Sequence, residues 1–536
     1  MSQQRKECQW LRTKRGKKFK SFEVRLSKPH QNTIAHCSIH GEAITKVVSG
    51  MNLRQQALKG VLWSAIQNWG TQAISFLVFF TLARLLDPKS FGLVALAGVF
   101  FSFMELFLRQ GFANALVQRQ ELEPEHLDTA FWINLSIGTI LMAIAIGFAG
   151  PIANWFDQPQ LAPILQWMSP SFLLAALSDV QQTLFRRQLA FKALSIRSLV
   201  ATLVGGVVGV VMALLGFGVW SLVGQRLSNA LGGVLVLWWA SQWRPGLKFS
   251  LSHGRELFSF GMNIMGSQLL TFFVLRADDF LVGKFLGAIE LGYYTIAYRV
   301  LLTITQLLYS TTNQVVLPTF SRLQEEPERM RRWLYNATKL SSLISLPLCF
   351  GIAALAPELV LGLFGKQWLP SVPTMQVLAF VGPMQLSQGI VSSAITAVGK
   401  PNWNLKVNFV NATASVVAFA IAVRWGIVAV AVGRVASGYL VTPIRVGMLR
   451  RLISIELTTY LYQFATPLVA SLAMVASISG AKYLLSDWLN WQGVLAICIP
   501  LSAGVYGLIL WWIDAELVLQ ALQMGRSVLS RKKKKQ

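Results

Sequence analysis

The sequence predicts an all-α polytopic membrane protein with about fourteen transmembrane helices, arranged as two pseudo-symmetric six-helix lobes plus two accessory helices. Three observations support this prediction. The 536 residues are 54% hydrophobic and only 13% charged, whereas soluble domains carry roughly a quarter charged residues. Apolar runs recur that are long enough to cross a hydrocarbon core of about 30 Å as helices. Finally, a stretch near residue 90 returns near residue 290, which indicates an internal repeat.

The predicted helical spans follow one another closely, and none shows the ten-residue alternation of a membrane β-strand. They are 58–82, 91–115, 127–150, 161–183, 195–215, 217–241, 257–284, 290–317, 337–357, 371–397, 405–424, 427–449, 461–482 and 491–513. The corresponding parts of the chain are an N-lobe at 58–241, a C-lobe at 257–449, accessory helices at 461–513, a basic and disordered arm at 1–50 and a basic tail at 514–536. An alternative for the arm is that translation starts at Met51, because MNLRQQALKGVLW leads directly into the first span.

The formal net charge of +25 is concentrated in the two tails and in alternate loops. The basic loops of one side include 186–197, 322–339 and 445–451, and loops rich in Lys and Arg remain on the cytoplasmic side of a membrane. An even number of spans then places both termini in the cytoplasm. Because no basic surface interleaved with aromatic residues is evident, we do not expect a nucleic-acid partner.

The repeat relates ARLLDPKSFGLVALA at 83–97 to GKFLGAIELGYYTIA at 283–297, at an offset of about 200 residues without a gap. Gly92 matches Gly292, and Arg84 matches Lys284. Six spans separate the two copies, and an even number gives both halves the same orientation. We therefore predict two lobes related by an axis along the membrane normal, with a central cavity between them.

Enzymatic motifs are missing from the sequence. It has no GxxxxGK[ST] loop, no HExxH and no GxSxG, so we expect neither ATP hydrolysis nor another catalytic activity. The four cysteines form no CxxC pair, and no metal site or cofactor is expected. A secondary transporter remains as the predicted class, and its chemistry must be sought among polar groups at membrane depth.

A charged cluster ends the seventh span. Arg276 and Asp279 are three residues apart and can pair on one helix face, whereas Asp278 points elsewhere. The cluster is either a set of gating groups or a solvated helix end with a local salt bridge. In span two, Glu105 and Arg109 are four residues apart, which favours an internal salt bridge.

Arg299 lies deeper, near the predicted midplane of span eight, with Tyr298 beside it. A central arginine costs at least about 2.5–3.5 kcal/mol on insertion scales. Either it pairs with an acid such as Asp278 or Asp279, or it faces a cavity and meets an anion, and we favour the cavity. Uncharged hydrogen-bonding residues either line a sugar-binding cavity or tie helices together; they are Gln67, Gln72, Asn263 and Gln268.

Two stretches resemble a known family. LKGVLWSAIQNWGTQAISFLVFFTLARLLDPKSFGLVAL at 58–96 resembles the opening of bacterial polysaccharide transporters, and ADDFLVGKFLGAIELGYYTIAYRVL at 277–301 resembles their seventh and eighth helices. These are Wzx-type lipid-linked oligosaccharide flippases, of the colanic-acid and teichuronic-acid exporter branch of the multidrug/oligosaccharidyl-lipid/polysaccharide superfamily. The resemblance implies a V-shaped pair of lobes that works by alternating access in the bacterial cytoplasmic (inner) membrane.

The resemblance also implies partners and roles. The substrate is an undecaprenyl-pyrophosphate-linked glycan, coupling uses H+ or Na+, membrane lipids surround the protein, and polysaccharide polymerase or assembly proteins are further partners. Arg299 is implied as the pyrophosphate contact, with Arg276 and Arg109 as weaker candidates, and Asp278 and Asp279 as coupling or gating acids. We add Glu105 to the gating candidates, and Tyr298 and the four amide residues to the substrate-binding ones.

The first lobe departs from this pattern. It has Val78, Phe79 and Val99 where the second has Asp278, Asp279 and Arg299, so any charge machinery belongs to the second lobe. Three alternatives stay open: a multidrug-type cation antiporter, a lipid II flippase of the same superfamily, and a scaffold for a glycan-assembly complex that uses its basic tails on anionic lipid.

Overall fold

The computed structural model describes residues 53–108, 124–247, 250–485, 489–515 and 519, and over these residues the chain is helical with no β-strand. The predicted N-terminal arm, Arg109 and most of the C-terminal tail lie outside the described residues. The helices are α1 (Leu53–Leu85), α2 (Pro88–Leu108), α3 (Pro124–Trp155), α4 (Leu161–Met168), α5 (Pro170–Arg187), α6 (Phe191–Leu214), α7 (Val219–Ala240), α8 (Leu251–Phe285), α9 (Gly287–Arg322), α10 (Pro327–Ala354), α11 (Ala356–Leu363), α12 (Val372–Leu378), α13 (Val381–Ala397), α14 (Pro401–Ala422), α15 (Ile427–Ile453), α16 (Leu457–Leu485) and α17 (Trp491–Ile513).

Over the residues that the structure describes, every predicted span overlaps one helix or two consecutive ones. The fourth span is broken between α4 and α5, where Pro170 begins the second helix, the ninth between α10 and α11, and the tenth between α12 and α13. Within the described part of the chain, nine helical segments are long and apolar enough to cross a membrane by themselves. Helices α8 and α9 are not among these nine, although they have 35 and 36 residues, because they carry charged and amide side chains.

The helices pack mainly within the two predicted lobes. In the N-lobe, α6 packs on α7 and α5 packs on both α3 and α7; in the C-lobe, α13 packs on α9 and α15, and α14 packs on α8 and α15. Helices α16 and α17 pack on each other, and α16 also packs on α10. The lobes meet through α2, which contacts α8 and α9. The all-α fold with two lobes and two accessory helices is therefore the observed architecture.

Two matched glycines allow the lobes to touch. A Cβ atom on Gly92 would overlap the backbone carbonyl of Ala288, and one on Gly292 would overlap the carbonyl of Pro88. Because Pro88 and Ala288 are also matched positions of the repeat, the two contacts are reciprocal. Only glycine permits such a close backbone approach. We call this end of the molecule, where α1 passes into α2 and α8 into α9, the turn end.

The matched cations of the repeat also cross between the lobes at the turn end. Arg84 donates to the carbonyl of Leu363 at 3.1 Å and to that of Gly362, at the end of α11. Lys284 donates to the carbonyl of Trp155, the last residue of α3, and to the Asp157 carboxylate at 3.1 Å. A cation at a helix C-terminus satisfies carbonyls that the helix itself leaves free. We call Arg84 and Lys284 with these partners the interlobe latch.

The chain after α11 reinforces this contact. The Trp368 indole donates at 2.7 Å to the carbonyl of Ala83, and the Gln367 amide donates to the carbonyls of Ala83 and Leu86. Trp368 is fully buried and packs edge-on against Phe91. The C-lobe thus caps the last turn of α1, and the turn end is tightly packed.

Candidate functional site

A cavity of about 680 Å³ lies between α1 and α9. We call it the interlobe cavity, because α1 belongs to the N-lobe and α9 to the C-lobe. Counting from Gly287, Arg299 lies about 18 Å along α9, well away from the turn end. The polar side chains that line the cavity are Asn68, Thr71, Gln72, Arg299, Thr303 and Gln306.

Arg299 is exposed to the interlobe cavity, and its guanidinium lies over the Phe79 ring at 5.8 Å. Among the described residues no carboxylate forms an ion pair with Arg299. The alternative that it pairs with Asp278 or Asp279 is wrong, because both acids have other partners. Stacking on an aromatic face holds the cation through its ring quadrupole and leaves the donors of the guanidinium available to an anion.

The predicted amide residues have different surroundings. Gln72 lines the interlobe cavity, and Gln268 lines a second cavity in the C-lobe. Gln67 instead donates to the Ser198 hydroxyl at 3.1 Å and accepts from Ser195, so it ties α1 to α6. The side chain of Asn263 lies outside the described residues.

The two carboxylates of the charged cluster on α8 are buried, whereas Arg276 is half-exposed. Arg276 donates to Asp279 at 3.0 Å, which confirms the predicted pair three residues apart. Asp278 does point elsewhere: it accepts a hydrogen bond from the Tyr294 hydroxyl at 2.7 Å and pairs with Arg434 of α15. The exposed fractions of Asp278 and Asp279 are 0% and 6%. The alternative of a solvated helix end is therefore wrong for both carboxylates.

Arg434 is the central residue that sequence reasoning missed. It is buried, its guanidinium lies over the Tyr298 ring at 4.5 Å, and it donates to the Tyr298 hydroxyl at 2.6 Å. The network Tyr294–Asp278–Arg434–Tyr298 thereby connects α8, α9 and α15. In the sequence, Arg434 stands out only as the single charged residue of the apolar run IVAVAVGRVASG, which begins at Ile427.

The second cavity, of about 540 Å³, is lined by C-lobe helices, and we call it the C-lobe cavity. It shares Leu302 and Gln306 with the interlobe cavity, so the two spaces are neighbours across α9. Its lining includes Arg434 and Arg445. The prediction that Arg445 belongs to a cytoplasmic loop is wrong: it lies within α15, is 7% exposed and donates to the side-chain amide oxygen of Asn408 at 2.8 Å.

Glu105 has a partner on another helix. Its carboxylate lies 3.4 Å from the guanidinium of Arg226 on α7, which in turn lies over the Phe101 ring at 5.1 Å. Arg109, its predicted partner, lies outside the described residues. Glu105 lines neither of the two cavities, so the described contact is a link between α2 and α7.

Comparison with known proteins settles the family. A family model described as "Polysaccharide biosynthesis protein" matches residues 81–373. The succinoglycan biosynthesis transport protein ExoT of Rhizobium meliloti (strain 1021) is 32% identical over 340 residues, covering 63% of this chain and 68% of that protein. The chain belongs to the polysaccharide biosynthesis protein family. The resemblance seen in the sequence is confirmed.

Other members of this polysaccharide biosynthesis family are more distant. The teichuronic acid biosynthesis protein TuaB of Bacillus subtilis (strain 168) is 25% identical over 353 residues, covering 65% of this chain and 73% of that protein. The lipopolysaccharide biosynthesis protein WzxC of Escherichia coli (strain K12) is 24% identical over 360 residues, covering 67% of this chain and 73% of that protein.

Solved structures share the fold. The lipid II flippase MurJ, in an inward closed conformation, has a TM-score of 0.70 at 16% identity and covers 85% of this chain and 100% of its own. An inward-facing multidrug resistance MATE family transporter of the MOP superfamily has a TM-score of 0.57 at 14% identity, and the match covers 73% of this chain and 98% of that structure's chain. The polysaccharide biosynthesis family member described here therefore has the fold of a multi-pass membrane transporter.

Proposed function

We propose that the protein is a flippase that moves polyprenyl-pyrophosphate-linked oligosaccharide units across the bacterial cytoplasmic membrane for surface polysaccharide synthesis. The observation that carries this proposal is Arg299, a cation without an acidic partner among the described residues, exposed to a cavity between two lobes. The names of the relatives, which refer to succinoglycan transport and to teichuronic acid and lipopolysaccharide biosynthesis, support the same class of cargo.

The chemistry of the cargo explains why a cation in the interlobe cavity is useful. A diphosphate carries about two negative charges, and moving such a group through hydrocarbon alone is very costly. Arginine offers charge-assisted hydrogen bonds in a planar fork that matches phosphate oxygens. Arg299 would receive the diphosphate in the interlobe cavity, while the polyprenyl chain remains in lipid.

The transport cycle we propose is alternating access driven by an H+ or Na+ gradient. Asp279, whose described partner is the half-exposed Arg276, is the better coupling candidate, because Asp278 is already neutralised by Arg434. Both termini would be cytoplasmic, which places the turn end on the periplasmic side. Polysaccharide polymerase or assembly proteins would receive the flipped unit.

Replacement of Arg299 tests the proposal in cells. In a deletion strain complemented with Arg299→Ala, we expect surface polysaccharide to fall at least about tenfold while membrane abundance is unchanged, since one charge-assisted contact contributes about 1.5–3 kcal/mol. Arg322→Ala, at the exposed end of α9, is the matched control and should export normally. Normal export by an abundant Arg299→Ala protein would contradict the assignment.

The structural similarity to MurJ favours one second candidate, a lipid II flippase of peptidoglycan synthesis. The deletion strain separates the two. A surface polysaccharide exporter is dispensable for growth, whereas cells that lose their only lipid II flippase lyse. Viable cells without surface polymer support the proposal, and lysis supports the alternative.

A further inference from the structure

We propose that Phe79 is the residue through which diphosphate binding at Arg299 loosens the contact between the lobes at the turn end. This inference rests on the proposed function, which places the diphosphate in the interlobe cavity. It adds a connection between that cavity and the place where the two lobes touch. In the arrangement described here, the Phe79 ring contacts groups that belong to both.

Phe79 lies on α1 between the interlobe cavity and the turn end. Gln72 and Phe76 of the same helix line the cavity, and α1 ends at Leu85. At 1.5 Å per residue, Phe79 lies about 4–5 Å beyond Phe76 and about 9 Å before the end of the helix. Its half-buried side chain is therefore close to the cavity and close to the packed turn end.

Phe79 belongs to a group of aromatic side chains that joins the two lobes, and we call this group the aromatic cluster. Its ring lies edge-on to Phe91 of α2 and to Phe364 of the C-lobe, at a centroid distance of 5.9 Å in each case. Edge-to-face ring pairs at such distances are favourable beyond the area that they bury. Phe364 directly follows Leu363, whose carbonyl accepts from Arg84 in the interlobe latch. The members of the aromatic cluster are Phe79, Phe80, Phe91, Phe364 and Trp368.

A further contact of Phe79 is with the guanidinium of Arg299, which lies 5.8 Å from the ring centroid. The attraction depends on the ring quadrupole and on the positive charge of the guanidinium. Because Arg299 belongs to α9 of the C-lobe and Phe79 to α1 of the N-lobe, this contact also crosses between the lobes. It adds to the forces that hold the Phe79 ring in the aromatic cluster.

A diphosphate would weaken the contact between Arg299 and Phe79. Its oxygens accept charge-assisted hydrogen bonds from the guanidinium, which neutralises part of the positive charge and draws the group toward the cavity. A ligand shifts an equilibrium between two arrangements by the difference in its affinity for them. Because the closed arrangement competes with the diphosphate for Arg299, the diphosphate binds the open arrangement more tightly. Loading of the interlobe cavity therefore favours separation of the lobes at the turn end.

Thiol labelling of the purified full-length protein in lipid nanodiscs tests this connection, with inorganic pyrophosphate as the probe. The reporter is Leu96→Cys in a background without the four native cysteines. Leu96 is 0% exposed and packs against Gly283 of the other lobe. We expect saturating pyrophosphate to accelerate labelling about two- to fivefold, the factor that corresponds to the loss of one cation–π contact. Calorimetry measures pyrophosphate binding to the same protein.

Substitutions of Phe79 separate the role of its ring face from that of its apolar bulk. Phe79→Leu keeps an apolar side chain without the quadrupole, so labelling should be fast without pyrophosphate and unchanged when it is added. By linkage, this variant should bind pyrophosphate about two- to fivefold more tightly than the wild type. Phe79→Tyr keeps the ring and should respond as the wild type does. Phe103→Leu is the matched control, because its ring contacts are with Phe107 and Phe272, outside the aromatic cluster.

The wild-type measurement requires no change at Phe79, so it keeps the inference falsifiable if Phe79→Leu does not fold. The inference is overturned if pyrophosphate binds without accelerating labelling, if Phe79→Leu still responds to pyrophosphate, or if the leucine and tyrosine variants behave alike. Absence of pyrophosphate binding is a different result. It contradicts the diphosphate site of the proposed function, and this inference with it.

Discussion

Arg434 and Asp278 form a buried ion pair whose members lie 156 residues apart in the chain. Each has a second partner, the hydroxyls of Tyr298 and Tyr294 respectively. Removing one charge of such a pair leaves the other uncompensated in a medium of low dielectric, which typically costs about 3–5 kcal/mol. The pair therefore fixes the position of Arg434 at the wall of the C-lobe cavity.

Asp278→Asn should consequently destabilise the folded protein by about 3–5 kcal/mol, measured as a loss of thermal stability in detergent. The double variant Asp278→Leu with Arg434→Leu should recover much of this loss, because no unpaired charge remains. Arg276→Leu is the control. It breaks an ion pair whose arginine is partly exposed, so the loss of thermal stability should be smaller. The direct pairing would be contradicted if the double variant lost as much stability as the single variants Asp278→Leu and Arg434→Leu lose together.

At the residue level, the sequence predicts local contacts better than distant ones. The bond between Arg276 and Asp279 follows from their spacing on one helix. The partner of Asp278 could not be predicted, because the tertiary packing of α8 against α15 brings it close. The prediction for Arg445 is wrong because a count of basic residues cannot distinguish an arginine in a loop from one buried in the last third of a helix.

The helices α2 and α9 begin with matched sequences, and their glycines contact each other's first turns. Gly92→Ala and Gly292→Ala should each separate the lobes at the turn end, since the added Cβ overlaps a backbone carbonyl. Because the contacts are reciprocal, we expect similar effects, measured as faster thiol labelling of a cysteine at Leu96, which is 0% exposed. Gly98→Ala, also on α2 but facing open space, is the control. Unchanged labelling in both variants would show that this contact does not hold the lobes.

The interlobe latch makes a further prediction for the turn end. Arg84→Ala and Lys284→Ala each remove a cation that caps a helix of the other lobe, so the double variant should shift the population toward states in which this end is open. Distances between spin labels placed on α3 and α11 would report the shift. Lys366→Ala, an exposed lysine close to α11, should leave the distances unchanged, and an unaltered distribution in the double variant would refute the role of the latch.

Helix positions were predictable from hydropathy, whereas helix ends and breaks were not. Apolar runs located the centre of every span, because that property decides insertion into lipid. The break before Pro170 and the start of α10 at Pro327, ten residues ahead of the predicted 337, depend instead on where proline can begin a helix.

At the scale of the whole molecule, α9 carries residues that take part in the lobe contact, the buried ion pair and the interlobe cavity. Gly292 touches the N-lobe, Tyr294 and Tyr298 bind the buried ion pair, and Arg299 faces the interlobe cavity. A rotation or shift of α9 would change all three together, since packed helices move as units. The repeat predicted two matched lobes. The apolar residues Val78, Phe79 and Val99 of the first copy predicted that Asp278, Asp279 and Arg299 have no charged counterparts at the matched positions of the N-lobe.

The most direct test of the central claim is a flipping assay in proteoliposomes with a fluorescent polyprenyl-pyrophosphate-linked oligosaccharide. Wild-type protein and Arg322→Ala should transfer the lipid between leaflets, Arg299→Lys should transfer it more slowly, and Arg299→Ala should fall at least about tenfold. Transfer by Arg299→Ala at the wild-type rate would contradict the claim that this arginine carries the diphosphate across.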